Sequence, residues 1–182
     1  MGKVNSGELP WTNIDGLHMQ ILRQLLDDFD IHNLSESDVE YLNKVWHRLD
    51  PWPDVIGSLE RLRAGYFVAA LSNGNMALIT NMAKCASLPW DVILSAELVC
   101  HYKPDPKVYE IAADLLGLSP GEILMRAAHP HDLEGARAVG FHTVFIRRPH
   151  EYGPVENPDL AGADGFDLEA GDVGELATQL GV

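Results

Sequence analysis

The segment Leu71-Ser72-Asn73-Gly74-Asn75 decides the fold of this chain. It follows the apolar run at residues 66–71 and precedes a stretch in which apolar residues recur at helical spacing. A buried strand that ends in Ser-Asn-Gly and turns into a helix is typical of the ligand-facing edge of an α/β sheet. We therefore predict an α/β protein whose site lies where its strands end.

Two later segments have the same character. They are His101-Tyr102-Lys103-Pro104-Asp105 and His129-Pro130-His131-Asp132, and each follows a short predicted strand. Ligands of open parallel sheets bind beyond the carboxyl ends of the strands. We interpret the three corners as one site.

The rest of the chain alternates strands with helices, which predicts a Rossmann-like parallel sheet with helices on both faces. Predicted strands cover residues 66–71, 91–94, 123–128 and 142–146. Predicted helices cover residues 14–29, 53–64, 76–86, 105–116, 131–139 and 172–180, with stops at Gly65, Gly117 and Gly140. Residues 49–53 break the pattern and mark a boundary, and residues 147–165 form a long, proline-containing surface loop.

One more helix is predicted to open at Ser35. Asp38 stands three residues later, as in a capping box. The spacing of Val39, Leu42 and Trp46 predicts that these three side chains form the inner face of this helix.

Composition narrows the classes of function. The chain has 182 residues with 13 basic and 27 acidic side chains, which give a net charge of −14. This charge argues against binding to nucleic-acid phosphates or to an anionic membrane surface, whereas a small anionic substrate needs only a locally positive pocket. The longest apolar run, residues 66–71, is far shorter than the ~20 residues of a membrane span.

The cysteines indicate a compartment. Cys85 and Cys100 are the only two, and no basic-then-apolar targeting pattern opens the chain. This usage suits free thiols in a reducing compartment, so we expect a cytoplasmic protein. Because no base is paired with either thiol, we interpret both as buried, small apolar residues.

The tryptophans are interpreted as core or interface fillers: Trp11, Trp46, Trp52 and Trp90.

The corner residues carry specific chemistry. Ser72 offers a hydroxyl and Asn73 an amide, Gly74 allows close backbone approach, and the following helix N-terminus favours an anion. Lys103 supplies a positive charge that can bind an anion or keep a carboxylate nucleophile ionised. Asp132 can hold this lysine or orient a water molecule.

Each corner also has a purely structural alternative. Ser-Asn-Gly is common turn chemistry, Asp105 and Asp132 are typical helix caps, and Tyr109 fits core packing. His129 and His131 with Asp132 could bind a metal, but this spacing offers no clear third ligand. The order of the corners, each at the end of a strand, favours a site.

Six segments, taken in order, resemble the type II haloacid dehalogenases of the haloacid dehalogenase superfamily. The resemblance extends over nearly all of the chain from about Trp11 onward. The segments are WHRLDPWPD (46–54), LSNGN (71–75), LPWD (88–91), YKPDPKVY (102–109), AAHPHDL (127–133) and RPHEYGP (148–154).

The resemblance implies hydrolysis of (S)-2-haloacids to (R)-2-hydroxyacids. An aspartate displaces the halide, and water then cleaves the aspartyl ester. By motif position, Ser72 and Asn73 bind the carboxylate and halide of the substrate, and Lys103 stabilises the nucleophile. Tyr109 lines the site, and Asp132 pairs with the lysine and helps to place the hydrolytic water.

Further expectations rest on the same resemblance. His129 stands at a substrate-binding position where many relatives carry asparagine. The last corner offers one acidic residue, Asp132, whereas the related phosphatases use a pair to hold Mg²⁺. We therefore expect no metal and no cofactor, and a phosphatase is the weaker alternative. The family also implies a homodimer.

One departure from the family is the missing nucleophile motif. The family opens with a strand that ends in Asp-x-x-Gly-Thr, at the centre of the sheet. In this chain Asn13-Ile14-Asp15-Gly16 is not preceded by an apolar run, and it matches the helical cap of the family. We thus expect an N-terminally truncated chain, with residues 1–50 as a remnant helical cap and residues 51–182 as the core. The alternative function is an inactive binding or oligomerisation module.

Overall fold

Two parallel sheets form the framework of the computed structural model, which describes residues 1–155, 157–162 and 165–182. Five strands are described: β1 (Ala69–Ser72), β2 (Val92–Ser95), β3 (Leu124–Ala127), β4 (His142–Ile146) and β5 (Leu168–Ala170). One sheet has the order β1-β2 and the other has the order β3-β4-β5, and all pairs are parallel. The predicted α/β class with parallel strands is confirmed.

Helices follow most of the strands. The α-helices are α1 (Gly2–Asn5), α2 (Ile14–Asp28), α3 (Glu36–Asn43), α4 (Val55–Arg63), α5 (Met76–Ala86), α6 (Pro106–Leu116), α7 (Pro130–Ala138) and α8 (Val173–Gln179). Short 3-10 helices cover Lys44–Arg48, Ala96–Val99, Pro120–Glu122 and Pro158–Gly162. No helix within the described residues is both long enough and apolar enough to cross a bilayer.

The predicted helix boundaries have identifiable causes. Ser35 and Asp38 form a reciprocal capping box at the start of α3, as expected. Gly117 and Gly140 follow α6 and α7 with positive φ angles of 66° and 93°, a backbone conformation that glycine adopts without strain. Gly65 stands at the same distance from α4 as Gly140 does from α7, because α4 ends at Arg63 and has Ala64 as its C-cap.

Two strand predictions require correction. The first strand begins at Ala69 and not at residue 66, and Phe67 is 89% exposed. The side chain of Tyr66 instead donates a hydrogen bond to the backbone oxygen of Leu180. Strand β5 is absent from the sequence-based prediction because three residues are too few to show alternation.

Side-chain burial corrects three further expectations. Val39 is buried, but Leu42 and Trp46 are exposed, because α3 ends at Asn43 and Trp46 lies on a 3-10 helix with a different period. Trp52 is also exposed, which excludes it from the core and leaves its role at an interface as a prediction. Both cysteines, Cys85 and Cys100, are exposed and not buried.

The chain divides into two compact units. The first contains residues 1–51 and 69–102, and the second contains residues 52–68 and 103–182. In the second unit, Leu133 and Phe145 form one buried cluster. A separate cluster there joins β4, β5 and α8: Val144, Ile146, Ala170 and Leu176. The division at residue 50 into cap and core stays a prediction.

Candidate active site

A buried ion pair lies at the last corner, in the second unit. Nζ of Lys103 donates a hydrogen bond to Oδ2 of Asp132 at 3.0 Å, and the two side chains are 7% and 17% exposed. The hydroxyl of Tyr109 lies 2.7 Å from Oδ1 of the same carboxylate and 3.1 Å from its backbone oxygen. Lysine and tyrosine therefore bind different oxygens of Asp132 and fix its orientation.

Local structure places these three side chains. Asp105 caps α6 by accepting a hydrogen bond from the backbone N–H of Lys107, so the helix starts directly after the lysine corner. Tyr109, in the first turn of α6, is fully buried and packs edge-on against Phe141. Asp132 lies in the first turn of α7, where a negative charge is favoured.

Burial changes the acid–base properties of the cluster. Desolvation lowers the pKa of the Lys103 ammonium, and the charge of Asp132 and its hydrogen bond partly offset this effect. Desolvation, followed by the adjacent Asp132 carboxylate, raises the pKa of Tyr109 well above its usual range. The tyrosine hydroxyl therefore remains a hydrogen-bond donor at any physiological pH.

His129 lies beside a different pair of carboxylates. Its Nε2 is 3.3 Å from Glu151 and 3.8 Å from Asp159, and its ring centroid is 5.7 Å from that of His131. The backbone oxygen of His129 accepts the N–H of Asp132, so the histidine directly precedes the ion-paired turn. Sequence reasoning missed both carboxylates, because they lie in the long loop and follow no periodic pattern.

The first corner lies in the first unit, at the end of β1. Oγ of Ser72 accepts the N–H of Gly74 at 3.0 Å, and Oγ of Ser95 donates to the oxygen of Gly74 at 2.6 Å. The amide of Asn73 lies 3.5 Å from the sulfur of Met1. The turn is thus fixed from both sides of Gly74.

The helix N-terminus at this corner is partly occupied. Oε2 of Glu97 accepts the N–H of Met76 at 2.9 Å, at the start of α5. Glu97 is itself held because its backbone N–H donates to Ser95. The side chain of Glu97 thus binds a backbone N–H that was expected to bind an anionic ligand. No local sequence pattern predicts this contact.

The structure brings together three predicted site residues: Lys103, Tyr109 and Asp132. Ser72 and Asn73 are consecutive in the first unit, and His129 lies near Glu151 in the second. Over residues 1–155, 157–162 and 165–182, no three His, Cys, Asp or Glu side chains are grouped so that they could hold a metal ion.

A family model and curated relatives match this chain. The model describes a haloacid dehalogenase-like hydrolase and matches residues 3–140. (S)-2-haloacid dehalogenase 4A of Burkholderia cepacia is 41% identical over 117 residues, which are 61% of this chain and 51% of the relative. The chain therefore spans about half the length of this curated relative.

Solved structures match over a larger share. The crystal structure of an L-2-haloacid dehalogenase is 47% identical, with a TM-score of 0.96, and the match covers 99% of this chain and 77% of that one. A defluorinating L-2-haloacid dehalogenase is 41% identical, also with a TM-score of 0.96, and the match covers 100% of this chain and 75% of the other. On this similarity, the chain belongs to the type II (S)-2-haloacid dehalogenases of the haloacid dehalogenase superfamily.

Proposed function

We propose that this protein hydrolyses the carbon–halogen bond of short (S)-2-haloacids and releases (R)-2-hydroxyacids. The observation that carries the proposal is the buried cluster in which Lys103 and Tyr109 bind the two oxygens of Asp132. A buried ammonium with one fixed carboxylate partner is suited to stabilising a second carboxylate beside it. The relatives that are named (S)-2-haloacid dehalogenases support the substrate class.

The first chemical step is displacement of the halide. A carboxylate oxygen of the family's aspartate attacks C2 of the haloacid, the carbon–halogen bond breaks, and halide leaves with its electron pair. Configuration inverts at C2, which converts the (S) centre into an (R) ester. Lys103 keeps the attacking carboxylate ionised.

The second step is hydrolysis of the aspartyl ester. Water attacks the ester carbonyl, and the bond between the aspartyl carbonyl carbon and the alkoxide oxygen breaks. One proton of the water passes to that leaving oxygen to give the hydroxyl of the hydroxyacid, and the other is released to solvent as the aspartyl carboxylate reforms. Asp132 places this water, and Tyr109 keeps Asp132 in its orientation. His129 lines the substrate side of the same corner, supported by its contact with Glu151.

Substrate recognition is assigned to the first corner. Ser72 supplies a hydroxyl and Asn73 supplies amide N–H groups, and together they bind the carboxylate and halide of the substrate. Two hydrogen bonds support this role: the N–H of Gly74 donates to Ser72, and the oxygen of Gly74 accepts from Ser95. They fix the backbone that connects Ser72 and Asn73 to α5.

Halide release tests the function. The purified 182-residue chain is given (S)-2-chloropropionate and haloacetates, and an Asp132→Asn variant is the control. Sustained halide release that the variant reduces to at most one halide per chain supports the proposal, because the halide leaves before the ester-hydrolysis step in which Asp132 acts. It would also mean that a carboxylate of this chain acts as the nucleophile. If release does not depend on Asp132, the assigned roles are wrong.

A folded chain that releases no halide favours the alternative function, an inactive binding or oligomerisation module. The strand order supports this alternative, because β1 and β3 each pair with one neighbouring strand among the described residues. An exposed strand edge is a template for pairing with another chain. Joining an Asp-bearing strand of a relative to the N-terminus of the chain and repeating the assay would then test whether the remaining site residues support turnover.

We also propose that two copies of the protein associate. Ile21, Leu25 and Phe29 recur at four-residue spacing along α2 and its C-terminal cap, and they are 57%, 46% and 73% exposed. Apolar side chains aligned on one helical face favour burial against a partner. Sedimentation of the wild type and of Phe29→Glu tests the dimer, and a monomeric wild type would contradict it.

The proposed compartment is the cytoplasm. Cys85 and Cys100 are both free thiols and both exposed, which suits a reducing environment.

A further inference from the structure

Asp15 lies at the centre of a hydrogen-bond network in the first unit. Its carboxylate oxygens are 2.9 and 3.1 Å from Nε2 of His47, and its Oδ2 also accepts a 3.1 Å bond from Nδ2 of Asn75. The backbone N–H of Asp15 returns a 3.3 Å bond to Oδ1 of Asn75. The backbone oxygen of Asp15 accepts the amide of Asn43. Aspartate and asparagine are therefore bound reciprocally.

The donors and acceptors of this network form a consistent chain. An ionised carboxylate only accepts, so Nε2 of His47 donates to Asp15. Nδ1 of the same ring is 3.0 Å from Nδ2 of Asn81, which only donates. The ring of His47 therefore bridges Asp15 and Asn81 through its two nitrogens. Within this chain of bonds His47 is buried, at 5% exposed, and the side chain of Asp15 is 24% exposed.

Asn75 connects this network to the first corner. It is 3% exposed and is the N-cap residue of α5, yet its side chain makes no capping bond and is committed to Asp15. Its neighbour Gly74 is the residue whose N–H binds Ser72 and whose oxygen binds Ser95. A shift of Asn75 would therefore move the turn that carries Ser72.

We propose that Asp15 is a positioning residue of the dehalogenase: it holds Asn75 and thereby fixes the turn that presents Ser72 and Asn73 to the substrate carboxylate. This inference rests on the proposed function for the identity of the bound anion. In this role Asp15 neither touches substrate nor acts as a nucleophile. It acts only through Asn75.

The test separates local positioning from general stability. Asp15→Ala removes the carboxylate, Asp15→Asn keeps an acceptor of the same shape, and Val39→Ala creates a cavity at a buried site of the same unit. Amide resonances and hydrogen exchange of Gly74 are measured by NMR. The same samples are titrated with (R)-2-hydroxypropionate, the product class of the proposed reaction.

Asp15→Ala is expected to shift the amide resonance of Gly74 and to speed its hydrogen exchange. The dissociation constant for (R)-2-hydroxypropionate is expected to rise about tenfold, which is equivalent to the loss of one charge-assisted hydrogen bond. Asp15→Asn is expected to show a Gly74 resonance, a Gly74 exchange rate and a dissociation constant close to those of the wild type. Val39→Ala should lower the melting temperature and leave Gly74 unchanged.

Two results would overturn the inference. One is a Gly74 signal that is identical in the wild type and Asp15→Ala, and the other is an equal change in Val39→Ala. A wild type that binds no hydroxyacid counts against the proposed function instead, and the Gly74 comparison then decides the role of Asp15 by itself.

Discussion

Lys103 and Tyr109 bind different oxygens of one carboxylate, at 3.0 and 2.7 Å from Asp132. The two contacts differ in kind, because the lysine contributes a charge and the tyrosine contributes a buried neutral hydroxyl. Since each carboxylate oxygen has two lone pairs, both oxygens can still accept a hydrogen bond from water. The arrangement thus fixes the orientation of Asp132 without using up its capacity to bind a water molecule.

The tyrosine contact is tested by removing one hydroxyl. Tyr109→Phe keeps the buried ring but leaves Oδ1 of Asp132 without this donor, so we expect the free energy of unfolding to fall by about 1.5–3 kcal/mol. Urea denaturation measures the change. Tyr41→Phe is the matched control. Tyr41 is 64% exposed, so loss of its hydroxyl should change the free energy of unfolding by less than ~0.5 kcal/mol. Equal effects of the two substitutions would contradict the argument.

Local sequence patterns predict much of this fold. Period and capping signals place α2, α5, α6 and α7 within one or two residues, and they place the start of α3, because caps and helix stops act through neighbouring residues. The same signals fail where structure depends on distant partners. Residues 66–68 have an apolar pattern, yet Tyr66 binds Leu180, and Trp46 is exposed because a 3-10 helix replaces the expected α-helix.

The site is predictable to the same extent. Lys103 and Asp132 lie at corners that follow predicted strands, so their position identifies them, whereas Tyr109 is identified as a site residue by the family resemblance alone. Glu97 and Glu151 have no such signal, because Glu97 reaches Met76 from another strand's end and Glu151 reaches His129 from an irregular loop. Contacts of this kind depend on the tertiary path of the chain.

Close packing around the tyrosine gives a second prediction. A Cβ added at Gly135 would lie 2.7 Å from the Tyr109 hydroxyl oxygen and 2.9 Å from Cβ of Pro104, and neither group is free to move away. Gly135→Ala should therefore destabilise the protein by about 1–3 kcal/mol, in spite of the higher helix propensity of alanine.

Gly57→Ala is the control for that substitution. Gly57 lies in α4, and a Cβ there would meet no atom within 4 Å. Helix propensity alone then acts, and stability should rise by up to about 1 kcal/mol. Thermal unfolding of both variants decides the issue, since a gain in stability from Gly135→Ala would show that the packing argument is wrong.

Asp54 gives a prediction of pH dependence. Its carboxylate accepts two hydrogen bonds from Arg148, at 3.0 and 2.8 Å, and a third from the N–H of Val173. Burial by itself would raise the pKa of this carboxyl, but the bonds from Arg148 and Val173 outweigh burial and lower it. The contribution of Asp54 to stability is thus complete above the pKa of an unfolded aspartate, about 3.9, and is lost as the pH falls through the lower folded value.

Asp54→Asn tests this linkage. The wild type should be more stable than the variant at pH 7, and the difference should shrink as the pH is lowered below about 4. Urea denaturation at a series of pH values measures both proteins. A difference in the free energy of unfolding that stays constant down to pH 2 would mean that the ionised form of Asp54 is not what stabilises this contact.

Substitutions in the Lys103–Asp132 ion pair distinguish its contribution to stability from its contribution to catalysis. Lys103→Met keeps a side chain of similar length but leaves the Asp132 carboxylate buried without the lysine charge, so we expect a loss of about 3–5 kcal/mol in the free energy of unfolding. The double variant Lys103→Met/Asp132→Asn removes both charges and should recover part of that loss, a non-additivity that a double-mutant cycle measures. Halide release should be absent from both variants, because restored folding does not restore the ammonium that the proposed first step needs. Additive stability effects would contradict the direct coupling of the pair, and halide release by the double variant would contradict the catalytic role of Lys103.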